Sequence, residues 1–291
     1  MVKIANKSNY KPRIIDSIIE KNLRIFGAIL IEGPKWCGKT WTSSYHAKSE
    51  FFVGDPKGNF SNRELAKMEP YTVLKGDTPR LIDEWQEALS LWDTTRAFVD
   101  ENEKKGQIIL TGSSTPAIKG VLHSGTGRIK SIRMNTMSLF ESNDSTGEIS
   151  LKDLCENKFE PKILKETNLE KLAYLIVRGG WPGNIDALDD ECDELAISYM
   201  ENVIKTDLKR LDQDIDYNEQ KAKLILKSLA RNESTTASNQ SILRDIIEND
   251  HSSISKTTLV KYLNAFNRMF LFNNQLPYFN NVRSSLRVKG A

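Results

Sequence analysis

Eight residues, Gly33-Pro34-Lys35-Trp36-Cys37-Gly38-Lys39-Thr40, constrain this chain more than any other stretch. They fit the pattern G-x-x-x-x-G-K-[ST], a phosphate-binding loop. Its glycines let backbone N–H groups turn inward around a polyphosphate. Lys39 is placed to neutralise β- and γ-phosphates, and the Thr40 hydroxyl suits a Mg2+ ligand. Such a loop belongs between a buried strand and a helix whose positive N-terminus faces the anion. The flanks agree. Ala28 to Ile31 is a continuous apolar run, as a buried parallel strand requires, and Thr40 to His46 can continue as helix. Upstream, Pro12 at a first helical position and the spacing of Ile14, Ile15, Ile18, Ile19 and Leu23 predict an amphipathic helix over 12–24, broken at Gly27.

Three further strands are expected at Arg80 to Ile82, Gln107 to Leu110 and Arg128 to Met134, with a helix over 87–103 between the first two. Residues 53–79 read as irregular. Short apolar strands alternating with helices imply a doubly wound α/β layer structure. The chemistry then concentrates at strand ends. Leu81-Ile82 runs into Asp83-Glu84. An acid there can hold Mg2+, and one residue on, Glu84 can act as general base toward the attacking water. Thr111-Gly112-Ser113-Ser114 brings hydroxyls to the next strand end. Ser113 is preferred over Ser114 for touching the γ-phosphate or orienting the lytic water, although a helix cap is the plainer role. Ser124-Gly125-Thr126-Gly127 makes a tight turn before Arg128, which suits a guanidinium offered to the γ-phosphate of a neighbouring subunit. Arg133 is a second candidate. Cys37 has no histidine partner nearby in the sequence, so only its backbone is expected to matter.

The second half has a different character. From about residue 145 strand-like runs become rare and helical periods dominate. A helix over 168–178 is capped by Asn168 and ended by Gly179-Gly180 and Pro182, and 191–210 and 217–231 are two more. Residues 219–277 suggest a helix-turn-helix, with Ser255 capping a third helix and Met269 to Leu276 forming a strand of a wing. Lys256, Lys261 and Arg268 on that helix could meet DNA phosphates. Against this stands a near-balanced charge: 41 Lys and Arg to 39 Asp and Glu, net +2. The three cysteines and three histidines show no metal-ligand spacing. No apolar run approaches the roughly 20 residues needed to cross a bilayer, and the first residues lack the apolar core of a signal peptide. A reduced, cytoplasmic protein is the expectation.

The segments YKPRIIDSIIEKNLRIFGAILIEGPKWCGKT, LIDEWQ, ILTGSSTP, HSGTGRI and RMNTMSLFES resemble prokaryotic AAA-type ATPases that join an AAA_14 P-loop domain to a DUF4143 region. In the second half the resemblance rests on Arg178-Gly179-Gly180-Trp181-Pro182, Tyr199, Asp207 and the winged-helix-like segment. It implies a P-loop NTPase of the ASCE/AAA type, a three-layer sandwich on a parallel sheet, with a mainly helical, winged-helix-like C-terminal domain. Domains are expected at 1–150 and 151–291, with the winged-helix-like part at about 217–280. The implied activity is hydrolysis of ATP with Mg2+, using Gly33 to Thr40 for the nucleotide, Thr40 and Asp83 for the metal, and Lys39, Glu84, Ser113 and Arg128 in catalysis. Arg128 would act in trans within a homo-oligomer. Family members often run on into a nuclease-like module beyond a segment like Arg283 to Ala291, so that module is expected to be absent or truncated here. The alternative is a slowly hydrolysing, nucleotide-gated switch or DNA-binding regulator.

Overall fold

A computed structural model of the protein describes residues 9–113, 124–161, 167–211 and 217–275. The chain divides into two compact units, Met1–Ile197 and Ser198–Ala291. In the first, helix α1 (Asp16–Ile25) leads into β1 (Ala28–Glu32), the phosphate-loop sequence and α2 (Lys39–His46). Next come β2 (Ser49–Phe52), α3 (Lys57–Met68), α4 (Pro70–Leu74), β3 (Arg80–Asp83), α5 (Ser90–Asn102), β4 (Ile108–Gly112) and β5 (Ile129–Arg133). All strand pairs are parallel, in the order β2-β3-β4-β1-β5. This is an α/β P-loop NTPase fold.

The sheet's two faces bury different cores, as alternating side chains in a two-sided sheet require. Ala28, Leu30, Ile82, Ile108, Leu110 and Ile129 pack with Trp85, Leu91 and Phe98 on the α5 side. Ile29, Ile31, Leu81, Ile109 and Ile132 pack with Ile19 and Ala47 on the α1 and α2 side. The stretch 53–79, expected to be irregular, carries α3 and α4, and β2 precedes it unannounced. Its mixed polar sequence hides the period because few side chains face the core: Ala66, Val73 and Leu74 are the buried ones from these helices. Helix α1 begins at Asp16, later than Pro12. The Asp16 carboxylate accepts the Arg13 N–H (2.7 Å) and the Tyr10 hydroxyl (2.7 Å), which shapes 10–15 as a turn before the helix.

The loop after β5 is anchored by two buried arginines from distant parts of the chain. The Arg13 Nε donates to Glu141 Oε1 at 3.0 Å, with side chains only 5% and 7% exposed. The Arg178 Nη1 donates to Asp144 Oδ2 at 2.8 Å. Arg178 ends α7 (Leu169–Arg178), which follows the short α6 (Leu151–Cys155). Asn168 caps α7 by accepting the Lys171 N–H, as the sequence predicts. The turn after it presses on the same loop: Met137 N–H donates to the Gly180 carbonyl at 2.6 Å, and a Cβ on Gly180 would collide with the Met137 carbonyl.

Helix α8 (Glu194–Asn202) crosses the division between the units and runs through a π-helical turn (Val203–Asp207) into α9 (Leu208–Leu211). The predicted helix over 191–210 is thus interrupted in its hydrogen bonding. The second unit is mainly helical. Here α10 (Glu219–Arg231), α11 (Asn239–Asp250) and α12 (Lys256–Arg268) share a core of Ile225, Ile246, Leu259, Tyr262 and Phe266. Asn218, Ser238 and Ser255 cap them, each side chain accepting an N–H of the first turn. The expected wing strand is not found among the described residues after α12. The Leu271 N–H bonds back to the Phe266 carbonyl, folding 269–271 into a turn that buries Met269 and Phe270. Among the described residues no helix is long and apolar enough to cross a membrane.

Burial alone would raise the Glu141 and Asp144 carboxyls. For Glu141 the N–H groups of Ser138 and Ile14 and the Arg13 charge outweigh it; for Asp144 the Ser142 hydroxyl, Arg178 and Lys171 do so. Both therefore sit below the ordinary carboxylate range in the folded state. Folding then binds fewer protons than the unfolded chain would, so this stabilisation is present above about pH 5 and drains as pH falls through the folded-state values. Denaturant unfolding between pH 7 and pH 3 should show that loss, and Glu141→Gln should lower stability at pH 7 and flatten the acid limb. An unchanged slope in the variant would remove Glu141 as a contributor.

Candidate functional site

The loop between β1 and α2 needs its two motif glycines for different reasons. A Cβ on Gly33 would collide with the Met134 carbonyl of the neighbouring strand end. Gly38 is left-handed, with φ +99°, and opens α2 as its N-cap. Trp36 is also left-handed (φ +63°) and leaves its indole 68% exposed. Lys39 is buried, and its Nζ donates to the carbonyls of Gly33 (3.0 Å) and Pro34 (2.8 Å). The ammonium thus spans the mouth of the loop. Cys37 is fully buried, and burial pushes its thiol pKa up, so it is no nucleophile at neutral pH.

The acid pair arrives from β3. Asp83 and Thr111 stand two residues beyond Leu81 and Ile109, which face α1 and α2, so both point to the side on which α2 packs. There they meet. The Thr40 hydroxyl donates to Asp83 Oδ1 at 2.9 Å and the Thr111 hydroxyl to the same oxygen at 2.6 Å. Burial raises the Asp83 pKa, the Glu84 charge adds to the rise, and the two hydroxyls and Lys39 oppose it. Glu84 itself is left-handed (φ +57°, ψ +51°), a costly conformation for a residue with a Cβ. Its N–H is held by Thr111 Oγ1 at 3.0 Å. Its Oε2 accepts from Ser113 Oγ at 3.1 Å and from Gln86 Nε2.

Lys39, Thr40, Asp83, Glu84 and Ser113 are therefore brought to one end of the sheet. Ser114 and His123 lie outside the described residues. Arg128 does not join this group. In the register Ala28 pairs with Ile129 and Glu32 with Arg133, so Arg128 stands at the other end of β5, about 16 Å of strand away. It is exposed and ion-paired with Asp100 at 2.7 Å. Arg133 lies at the near end, where its charge opposes the rise that burial imposes on the Glu32 carboxyl.

Several residues of the site carry no sequence motif. Thr111 was seen only as part of a polar strand end, yet it is the hydroxyl that joins Asp83 to Glu84. Gln86 follows the acid pair, and its i+2 spacing from Glu84 was the available signal. Arg13 donates to the Cys37 carbonyl at 2.8 Å and the Asn135 carbonyl at 2.9 Å. Tyr10 stacks on Tyr45 at 4.1 Å and donates its hydroxyl to Asp16, which also meets His46 Nε2 at 3.0 Å. These contacts tie the chain before α1 to α2 across some thirty residues of sequence, which no local pattern reports.

Residues 26–143 match the model of a family described as an AAA domain (AAA_14), and residues 169–290 match a domain of unknown function, DUF8612. The C-terminal match corrects the expectation of DUF4143. The residues that suggested it, Arg178 to Pro182, Tyr199 and Asp207, all lie within the DUF8612 match. A solved Walker-type ATPase of Pyrococcus abyssi is similar over 97% of both chains, with 14% identity and a TM-score of 0.54, which shows the fold. The AMPPCP-bound DnaA of Aquifex aeolicus is 16% identical over 92% of this chain and 89% of that one. Its TM-score is 0.35, too low to carry an argument. No curated protein matches the chain. The first unit therefore has the fold of a P-loop NTPase, and residues 26–143 within it carry the AAA-domain match.

Thr111→Val keeps the shape of the side chain and removes both of its hydrogen bonds, leaving Asp83 and the Glu84 N–H with one partner fewer each. Urea unfolding should show a loss of about 1–3 kcal/mol. A variant as stable as the parent would mean that the Thr111 junction contributes nothing.

Proposed function

We propose that the chain is a Mg2+-dependent ATPase. The observation that carries this reading is the Thr40–Asp83 hydrogen bond, which joins the phosphate loop to the acid strand with Glu84 next in the chain. The AAA-domain match over 26–143 supports it. Lys39 exchanges the Gly33 and Pro34 carbonyls for β- and γ-phosphate oxygens. Thr40 and Asp83 supply two hard oxygen donors within 2.9 Å of each other, a set that suits Mg2+ when phosphates and water complete it. When bound, the ion neutralises charge on the phosphate oxygens. Glu84 takes the proton of a water that attacks the γ-phosphorus in line, and the bond to the bridging oxygen of ADP breaks. Ser113 and Gln86 orient the Glu84 carboxylate. Arg128, released from Asp100, completes the site of a second copy of the chain. The free thiols Cys37, Cys155 and Cys192 suit a reducing, cytoplasmic setting.

A second reading is a slowly hydrolysing switch that regulates at DNA. The engagement of Glu84 Oε2 by both Ser113 and Gln86 favours it, because those bonds must give way before that oxygen can meet a water. Charge also segregates: residues 198–291 hold 14 Lys and Arg against 10 Asp and Glu. The exposed face of α12 presents Lys256, Thr257 and Asn264 to solvent.

Glu84→Gln should retain nucleotide binding and lower steady-state phosphate release by about 100-fold or more. Undiminished turnover would remove Glu84 as base. Arg128→Ala should slow hydrolysis with little change in nucleotide affinity, and mixing it with Lys39→Ala should restore activity. Absence of rescue on mixing refutes action in trans. Fast turnover, stimulated by DNA or not, supports the ATPase reading, whereas slow turnover with long nucleotide retention supports the switch.

A further inference from the structure

We propose that Arg13 is a positioning residue for the phosphate loop: it latches the Cys37–Gly38 peptide so that the Gly38 N–H faces the polyphosphate. This rests on the reading of Gly33 to Thr40 as a phosphate cradle. The argument begins with the peptide itself. A trans peptide holds its C=O and the following N–H in opposite directions. Among the described residues the one cis bond is Thr78–Pro79, so the Cys37–Gly38 bond is trans. The Arg13 Nη1 holds the Cys37 carbonyl at 2.8 Å. The Gly38 N–H therefore points away from Arg13, and Gly38 is the N-cap from which α2 opens.

The latch is needed because Gly38 does not enforce this orientation. Glycine populates both signs of φ at similar cost, so the preceding peptide can rotate with little local penalty. A rotated peptide would turn the Cys37 carbonyl toward the phosphates, an acceptor facing an anion, and remove a donor at the same place. Arg13 resists this from a fixed base. Its Nε is held by Glu141 and its Nη2 by the Asn135 carbonyl, so all three nitrogens have partners. Glu141 is in turn held by the N–H groups of Ile14 and Ser138, both at 2.7 Å. The planar fork of arginine can reach three oxygens at once; a lysine ammonium at this depth cannot. Pro182 closes the same spot, its Cγ lying 3.4 Å from where a Gly38 Cβ would be.

The test is competition binding of ADP and AMP against a fluorescent ADP analogue, with thermal melts on the same samples. The variants are Lys39→Ala, Arg13→Lys, Arg13→Met and the double variant Arg13→Met/Glu141→Gln, which leaves no unpaired buried charge. The wild type should prefer ADP over AMP, and Lys39→Ala should abolish the preference. Arg13→Met and the double variant should bind ADP about 10- to 100-fold more weakly while AMP changes far less, with Arg13→Lys in between. A general loss of structure would weaken both nucleotides alike and follow the melting temperature. If the Arg13→Met variant does not fold, the double variant and Arg13→Lys decide. A wild-type ADP preference in folded Arg13 variants, alongside its collapse in Lys39→Ala, overturns the latch and leaves the cradle standing. No ADP preference in the wild type, or one that survives Lys39→Ala, overturns the cradle and the latch together.

Discussion

Asp83 Oδ1 accepts two hydroxyls, Thr40 from the helix after the phosphate loop and Thr111 from the neighbouring strand. That one oxygen ties together α2, β3 and β4, and through Thr111 it also fixes the backbone of Glu84. A buried carboxylate needs such donors, since burial disfavours its charge. The same donors locate the loop relative to the acid strand. The strained backbone at Glu84 is stored where the surroundings over-determine it, at the very residue proposed as base.

A second layer of buried polar contacts supports the loop from behind. Arg13 and Arg178 come from opposite ends of the first unit and insert into the loop after β5, at Glu141 and Asp144. Replacing Arg13 alone would leave the Glu141 carboxylate without its charged partner, a penalty that can exceed what the pair contributes in net stability, whereas Asp144 would keep Lys171 and Ser142. What such pairs supply is geometry. They fix Asn135, Met137 and Gly180, close in the chain to Met134 and Pro182 that lie against Gly38, so the segment matched by the second family model abuts the phosphate loop inside the first unit.

The sheet was legible because its strands are short continuous apolar runs and its loop is a motif. Strands at Ala28, Arg80, Gln107 and Arg128 fall where the residues predict, to within a residue or two at each end. The misses have physical causes. Helices α3 and α4 bury few side chains and so leave little period to read. The turn at 269–271 buries Met269 and Phe270 without a sheet, so apolar content resembled a strand. The cues for DUF4143 were one short turn, Arg178 to Pro182, and a few residues of the helical half, and the match over 169–290 is to DUF8612 instead.

The sequence alone determined the chemistry on offer: a phosphate loop, an acid pair after a strand, hydroxyls at the next strand end, and a helical second half. These are local patterns, carried by spacing within one element or across one turn. Only the tertiary structure decided which of them meet. It selected Thr111 as the partner of Asp83 and Ser113 as the partner of Glu84. It set Arg128 at the far end of β5 against Asp100, and brought Arg13 to the back of the loop. The reason is geometric. Strand register and the face on which a side chain emerges depend on pairing between distant segments, and the chain encodes that pairing through packing of the whole core. The loop with which the sequence announces itself is thus completed by residues that its own motif does not contain.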